Sequence, residues 1–516
     1  MLLNGKTGKD TYENLLADRA PYLDRAKQVS ALTLPHLITE EGTRGPALPT
    51  PYQSVGARGV KSLASKLMLT LFPPSQSVFR LQADPGLMDK LGGGQVATEV
   101  QSAFADIEQA VSGEVEALGL RPHIYESLLH REVAGNVILY LDESGKSRVF
   151  PLPRFVVKRD PSGNLMVVIT KECVSPVLLP EHVQRLLKPE GELEENREDM
   201  KTADIFTVVH RSDKTRFTVW QEINGIFIPG TVGSYEEDEL PWIVLRSAPI
   251  AGESYSYGHA ADSLGDLSSL EGLMKALVEA SAASARIVFL VNPASQTRIS
   301  ELNAARNGQF VTGLPDDIMP LKVDKAADMT VCFNAIERLT QSLGYAFLLN
   351  QSVQRKGERV TAEEIRFLAQ ELDDVQAGSY ALLSQELQLR LVKVILSRLK
   401  KAKKIPALDP RVAKPTIITG LEALGRGHDL VKLDTLIQGA AALLGPDHIA
   451  QYLNVGDYLK RRGVALGVQL EGLIRSEEEV QQQQAQAAQS QMIQDVAPEA
   501  VRQVGAMAQQ QAGARK

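Results

Sequence analysis

Cysteine is nearly missing from this chain, with Cys173 and Cys332 the two among 516 residues. They stand far apart among apolar or β-prone neighbours. That excludes a disulfide framework and paired zinc-ligand spacing, and leaves both expected as buried, unlinked thiols. An excess of positive charge is also lacking, since 56 Lys+Arg stand against 63 Asp+Glu for a formal net charge of -7. Proteins that grip duplex DNA draw affinity from neutralised phosphates and carry a basic excess, so any encounter with nucleic acid here is local or passing. No apolar run of about 18 residues occurs, and the opening Met-Leu-Leu-Asn-Gly-Lys lacks the apolar core of a signal peptide. The expectation is a chain that is soluble and intracellular when made, with no membrane partner.

Catalytic signatures are missing as well. There is no Gly-x-Ser-x-Gly elbow, no His-Glu-x-x-His pair and no dinucleotide fingerprint. Gly92-Gly93-Gly94 has no Gly-Lys-Ser/Thr at P-loop spacing after it, and Gly5-Lys6-Thr7 stands too near the start for the strand that motif needs. His123 and His130 lie two turns apart on an expected helix, wider than the usual i, i+3 or i, i+4 metal pair, and read as ordinary surface or core histidines. No catalytic residue, metal or cofactor is expected.

What is present divides in character. Residues from Asp10 to Leu34 read as a helix with Leu15, Leu16, Ala20, Leu23 and Ala26 on its apolar side, kinked or split at Pro21. The stretch from Tyr52 to Phe72 reads as an amphipathic helix whose Gly56, Ala57, Gly59, Ala64 and Ser65 permit close helix approach. A further helix spans about Val96 to Gly119. Short β-rich runs follow: Val137–Leu141, Ser147–Leu152, Phe155–Arg159, Leu165–Thr170, Ile205–His210, Phe217–Glu222 and Trp242–Arg246. A charged helix or loop, Pro180 to Lys201, interrupts them. The fold class is α+β and predominantly helical, with strands segregated from helices.

The C-terminal half is organised around Val323 to Lys404: a short apolar helix, the polar basic loop Gln351-Ser-Val-Gln-Arg-Lys-Gly-Glu-Arg359, then a long helical pattern. Thr361 and Glu364 have capping-box spacing, and no proline occurs from Ala362 until Pro406. Such a helix would be about 60 Å long at about 1.5 Å per residue, more than a compact monomer needs, with Gly378 the expected bend. Between Leu387 and Leu408 there are basic residues (Arg390, Lys393, Arg398, Lys400, Lys401, Lys403, Lys404) and a single acid only at Asp409 beyond them. They suit the C-terminal end of a helix and subunit contacts, or else DNA.

Four stretches in order carry a resemblance: Gln53-Ser-Val-Gly-Ala-Arg-Gly-Val60 with Leu63–Leu69 and Leu71-Phe-Pro73; Tyr257-Gly258, Gly265-Asp266-Leu267 and Leu270-Glu271; Ile287–Pro293 with Asn307–Gly313; and Glu358–Arg366. Together they resemble the portal, or head-to-tail connector, proteins of short-tailed bacteriophages, over about Leu34 to Lys401. The resemblance implies a homo-oligomeric ring, usually a dodecamer, at one capsid vertex of the virion, serving as the channel for genome packaging and ejection. It implies an outer wing over residues 1–260, a stem helix over 261–286 and a clip over 287–325. A second stem helix would follow over 326–349, a tunnel loop over 350–360, a long wing helix and connector over 361–419 and a crown over 420–480. The Gln/Ala-rich residues 481–516 would form a helical barrel or a disordered tail. Implied partners are double-stranded DNA in the channel, terminase, a tail adaptor, the major capsid protein, scaffold and internal core proteins.

A conduit must not hold DNA fast, so the expected lining is acidic or neutral with sparse, sequence-independent basic contacts. Arg355, Lys356 and Arg359 are the candidate DNA-facing residues, with Gly357 as the loop hinge. The competing reading makes them solvated charges that pair weakly with Glu358 and Glu363. Two other functions compete: a ring-forming tail adaptor, and a metal-dependent nucleic-acid enzyme built on scattered carboxylates.

Overall fold

The computed structural model describes residues 3, 5–39, 48–73, 79–82, 94–142, 144–187, 202–284, 289–293, 298–312, 314–320, 326–349, 367, 372, 378–405, 416–418, 434–440, 442–443, 458–459 and 462. They fall into two bodies, residues 1–76 with 114–401, and residues 77–113 with 402–516.

The first body opens with α1 (Gly8–Leu32), started by a capping box in which Thr7 Oγ1 accepts from Asp10 N and the Asp10 carboxylate accepts from Thr7 N. The helix runs through Pro21 without splitting, because Pro21 faces solvent and water can serve the carbonyl its ring leaves unpaired. The buried face also differs from the expected one. It is Tyr12, Arg19, Tyr22, Ala26 and Val29, while Ala20 is exposed and Leu15 and Leu16 pack only at the margin. Arg19 goes inside because its guanidinium donates to the carbonyls of Leu152, Pro153 and Phe155 at 3.2, 2.7 and 2.9 Å. Alkyl periodicity cannot reveal such a residue, since hydrogen bonds offset the cost of its burial.

Next come α2 (Val55–Leu71) and, across the strand β1 (Arg80–Gln82), α3 (Gly94–Ala117) and α4 (Arg121–Ala134). All seven expected β runs are strands. A three-stranded antiparallel sheet has the order β10-β2-β3, with β2 Asn136–Leu141, β3 Ser147–Pro151 and β10 Trp242–Arg246. A larger antiparallel sheet runs β4-β5-β6-β7-β8, with β9 also pairing to β7. Its strands are β4 Phe155–Arg159, β5 Leu165–Val174, β6 Ala203–Arg211, β7 Arg216–Ile223, β8 Ile226–Phe227 and β9 Gly233–Glu236. The β7–β8 hairpin turns on Asn224 and Gly225 with φ of 50° and 88°, the left-handed pair that matches strand twist. Tyr12 of α1 packs on Val156, Ile169, Phe206, Val208 and Trp220 of this sheet. Glu222 ties the two layers together, since its buried carboxylate accepts from Gly8 N at 2.7 Å and Trp220 Nε1 at 2.8 Å. A carboxylate at a helix N-terminus also meets the positive end of the macrodipole.

The charged stretch after β5 contains α5 (Glu181–Leu186); its run Glu190–Glu195 lies outside the described residues. A short α6 (His259–Asp262) leads into α7 (Leu264–Ser284). After it come β11 (Phe289–Val291), α8 (Ile299–Ala304) and β12 (Ile318–Pro320), in which β11 and β12 form a two-stranded antiparallel ribbon. The returning helix is α9 (Ala326–Ala346).

The long helical pattern beyond it is interrupted. Gly378 has φ of 79°, outside the helical region, and stands before α10 (Ser379–Leu383), a π-helical stretch (Ser384–Leu389) and α11 (Arg390–Lys401). The expected bend is therefore a break, which only glycine adopts without strain. The Thr361–Glu364 capping box lies outside the described residues.

One further expectation is corrected, and another holds in part, since Arg398, Lys400 and Lys401 do stand in the last turn of α11. Cys173 is exposed and Cys332 half-buried, neither in a disulfide. Cys173 falls toward the end of β5, beyond the buried centre of that strand, and its thiol donates to Asp204 Oδ1 at 3.0 Å. The basic face of α11 meets carboxylates of its own chain: Arg390 pairs with Glu237 at 2.7 Å, and Lys393 with Asp238 and Lys401 with Glu239 at 2.8 Å. Burial pushes the Glu237 carboxyl up, but Arg390 and Arg211 outweigh it and hold its pKa below the ordinary value. The acids lie about 150 residues upstream by the sequence separation of 153 for Arg390 and Glu237, beyond any local charge pattern.

In the second body, β1 pairs antiparallel with β13 (Thr416–Ile418), and Glu108 of α3 accepts from Leu81 N at 2.7 Å. Tyr458 donates to Asp434 at 2.7 Å and receives a bond from Arg462 at 2.8 Å.

Candidate functional site at the roots of a helix pair

α7 and α9 lie against each other, with Ser342 Oγ donating to Asp266 Oδ2 at 3.1 Å. Their roots are buried and their far halves are not. On α7, Leu264, Leu267 and Leu270 are buried, but Leu273 and Leu277 are only half-covered and Val278 is exposed. On α9, Leu343 and Phe347 at the C-terminal end are buried, while Val331 and Phe333 are exposed.

The roots are seated on α2, and the small residues of α2 explain how. A Cβ added at Gly56 would stand 2.7 Å from Leu32 O and 3.1 Å from Leu267 Cδ2, and one added at Gly59 would stand 2.6 Å from the Phe347 ring. Both glycines are thus required for close approach of neighbouring elements. Glu271 of α7 accepts from the backbone amides of Tyr52 and Gln53 at 2.8 and 3.2 Å. Gln53 in turn donates to Leu32 O at 2.6 Å and accepts from Gly56 N at 2.9 Å, joining the end of α1 to the start of α2. Gly258 sits where an added Cβ would be 2.5 Å from Glu132 O, and Gly135, with φ of 76°, where it would be 2.3 Å from Ser256 O. Two chain segments more than a hundred residues apart therefore meet backbone to backbone, as the 121-residue separation of Ser256 and Gly135 records.

α9 ends in a Schellman motif: Leu349 N donates to Gly344 O at 2.7 Å, and Leu348 N to Tyr345 O at 3.1 Å. The left-handed position is Leu348, φ 54°, where glycine is the usual residue. That conformation costs a leucine about 1–2 kcal/mol, offset here by burial of its side chain. Lys66 Nζ donates to Leu348 O at 2.7 Å, and the His259 ring lies 3.0 Å from Ala346 O. Cationic and polar donors at a helix C-terminus satisfy carbonyls that have no partner within the helix.

The four predicted loop residues, Arg355, Lys356, Gly357 and Arg359, lie outside the described residues. The structure instead assigns contacts to residues quoted from the motifs. Gln53, Gly56, Gly258 and Glu271 tie the roots of the helix pair together. The motifs include Glu271 and Lys66 but do not reveal their contacts, because the partners are backbone atoms 219 and 282 residues away. Neither histidine of α4 lies in a metal-ligating group, and among the described residues no cluster of three or more His, Cys, Asp or Glu suits a metal ion. His123 Nδ1 is 2.8 Å from Ser147 Oγ. His130 is buried, and that burial lowers its pKa to about 4. Among the described residues, no helix is long and apolar enough to cross a membrane. Along α7 three carboxylates, Asp266, Glu271 and Glu279, stand against Lys275 alone.

Two helices thus leave a mixed sheet-and-helix body, and a small two-stranded ribbon lies between them in the chain. The chain belongs to the bacteriophage head to tail connecting protein family, whose model matches residues 6–474. It is 39% identical to the portal protein of Escherichia phage T7 over 93% of this chain and 90% of that one. It is 37% identical to the portal protein of Enterobacteria phage T3, over 97% and 94% respectively. The portal protein of Enterobacteria phage SP6 is 30% identical over 93% of this chain and 92% of its own length. A solved neck of a native gene transfer agent particle shares 12% identity over 80% of this chain and 90% of that one, at a TM-score of 0.33.

Proposed function

We propose that this chain is a phage portal protein, a structural subunit of the virion that forms the channel for genome packaging and ejection. The observation that carries the reading is the match over nearly the full length of both chains to portal proteins. In this reading the subunits close into a ring through heterologous contacts repeated around one axis. The ring is a dodecamer at one capsid vertex, and the subunit has no enzymatic role of its own. Residues 1–260 are the wing, α7 and α9 the stem, and residues 287–325 the clip that receives terminase during packaging and the tail adaptor afterwards. Residues 350–360 are the tunnel loop and 420–480 the crown. The acidic balance of α7 and the exposed apolar side chains on the far halves of α7 and α9 support a stem that faces DNA weakly and neighbours closely.

Particles carrying a tagged copy of the chain test this directly. Label at a single vertex is the expected image; label spread over the shell, or found only below the head, overturns the reading. Within it, Arg355, Lys356 and Arg359 touch the DNA backbone and Gly357 lets the loop change shape. Reversing the three basic residues to Glu leaves rings intact and reduces packaged DNA or its retention. Unchanged DNA content and retention would reject their role.

A further inference from the structure

Four arginines converge where the ends of β4 and β10 meet the π-helical stretch and α11. Arg159 closes β4 and Arg246 closes β10. The turn after β4 brings them together at Gly163: Arg159 Nη1 donates to Gly163 O at 3.0 Å, and a Cβ added at Gly163 would stand 3.3 Å from Arg246 Nη2. Arg211 ends β6 and Arg390 begins α11, and both pair with Glu237, at 3.2 and 2.7 Å. The Glu386 carboxylate accepts from Arg246 N at 3.1 Å and from Arg246 Nε at 2.9 Å.

Glu237 and Glu386 are thus taken up by three of the four guanidinium groups. Arg159 is left with carbonyl oxygens, Gly163 O and, at 3.5 Å, Val244 O. Its Nε is shut off from solvent and has no hydrogen-bond partner among the described residues. Buried ions are as a rule paired, because taking a charge out of water is costly and neutral acceptors offset only part of that cost. Burial is the main cause that draws the Arg159 pKa down to about 10; Glu386 opposes the shift, and the charges of Arg246 and Arg390 add to it. Asp160, on the turn after β4 and in the field of Arg211, is occupied by Asn164, whose N and Nδ2 donate to it at 2.7 and 2.9 Å. The cluster therefore carries more positive charge than its own carboxylates offset.

Solvent still reaches it. The Arg390 side chain is 40% exposed, and those of Arg246 and Arg211 keep 12% and 11%. Among the described residues no hydrogen bond uses Arg246 Nη1 or Nη2, so a forked pair of donors is left over. Such a fork matches two oxygens of a phosphate-like anion. Donors this recessed suit a small ion better than the broad surface of a duplex. We propose that the cluster binds a free tetrahedral oxyanion of the phosphate class, held by Arg246 and Arg390, with the charge of Arg159 adding to the attraction. The site lies within one chain and does not rest on the portal reading. An anion bound there ties the ends of β4 and β10 to α11.

Thermal unfolding of the full-length protein in rising inorganic phosphate, against sodium chloride at equal ionic strength, tests it. The expected result is a midpoint that rises and saturates, giving a dissociation constant, since a ligand of the folded state stabilises by mass action. Phosphate also strengthens apolar burial in any protein, but that effect does not saturate and is common to all variants. Arg390→Gln, on the open side, is expected to weaken phosphate about tenfold, the scale of one hydrogen bond to a charged group. Arg159→Met, which keeps the aliphatic stem, is expected to weaken it too. Glu386→Gln removes a competing carboxylate and is expected to tighten phosphate binding even though it loosens the fold, which a purely structural ion-pair network would not do. Each variant is compared with its own midpoint in chloride, so that lost stability does not enter. A rise that never saturates, or the same dissociation constant in wild type, Arg390→Gln and Glu386→Gln, overturns the site. A short DNA duplex that matches free phosphate at equal phosphate content, and loses its effect in Arg390→Gln, overturns the assignment to a free ion.

Discussion

The body around α4 and the far half of the helix pair treat their side chains in opposite ways. Around α4, charged groups are inside: Arg131 and Glu132 are fully buried and paired, and Arg131 Nε also donates to Arg246 O at 3.2 Å. Along the far half of α7 and α9 and in the ribbon between them, apolar groups are outside, with Val331 at 68% and Met319 at 62% of full exposure. The first region closes on itself and spends hydrogen bonds to bury polarity. The second leaves its apolar surface for something else to cover, and a two-stranded ribbon is marginal alone. In the proposed ring, neighbouring copies cover it.

The largest way to break this contrast is to attack the self-sufficient side. Glu132→Ala removes the carboxylate partner of a buried guanidinium and is expected to destabilise the fold by about 3–5 kcal/mol, read as a fall in the denaturant midpoint. A loss below about 1 kcal/mol would show that the pair is not a structural centre.

Next in size is the response to acid. Burial is the main cause of the low pKa of His130, about 4, and the charge of His36 adds to it. The unfolded chain takes up a proton at this position near the ordinary value of about 6.5, while the folded chain resists until about 4. The contribution of His130 is therefore complete above about pH 6.5 and is lost as pH falls toward 4, by up to about 3 kcal/mol. His130→Leu should flatten the stability profile across that window. An unchanged slope would assign the acid sensitivity to other groups.

Smaller still is the ionic rim of α11. Lys401, itself 66% exposed, pairs with Glu239, so Lys401→Glu should cost less than about 1 kcal/mol and the difference should shrink in high salt. The smallest effect on the single chain is expected on the exposed side. Val331→Ser with Phe333→Ser should leave the thermal midpoint of the dissociated chain unchanged but reduce the assembled fraction. A large fall in that midpoint would mean that these side chains serve the chain's own core.

Much of the fold could be read from the sequence because its signals are local. Period-two apolar runs gave the strands, and the small residues Gly56 and Gly59 marked a helix that neighbours approach closely. What stayed hidden lies in long-range polar contacts. Arg19 enters the core through three carbonyls, α11 finds its acids far upstream, and Leu348 accepts a conformation that favours glycine because distant groups hold it there. Of the site, the motifs that carried the family resemblance meet at the roots of the helix pair, through Glu271, Gln53 and Gly56. The proposed loop charges at Arg355, Lys356 and Arg359 rest on the tunnel loop that the resemblance implies and on its basic residues, and they lie outside the described residues.

The central claim is that this subunit works as one part of a closed ring. Native mass measurement of the purified full-length protein, paired with negative-stain images of the same sample, tests it most directly. The account expects a single large homo-oligomer with a central channel, about twelve subunits for a closed cyclic assembly. A chain that stays monomeric or dimeric, even with scaffold present, would contradict it.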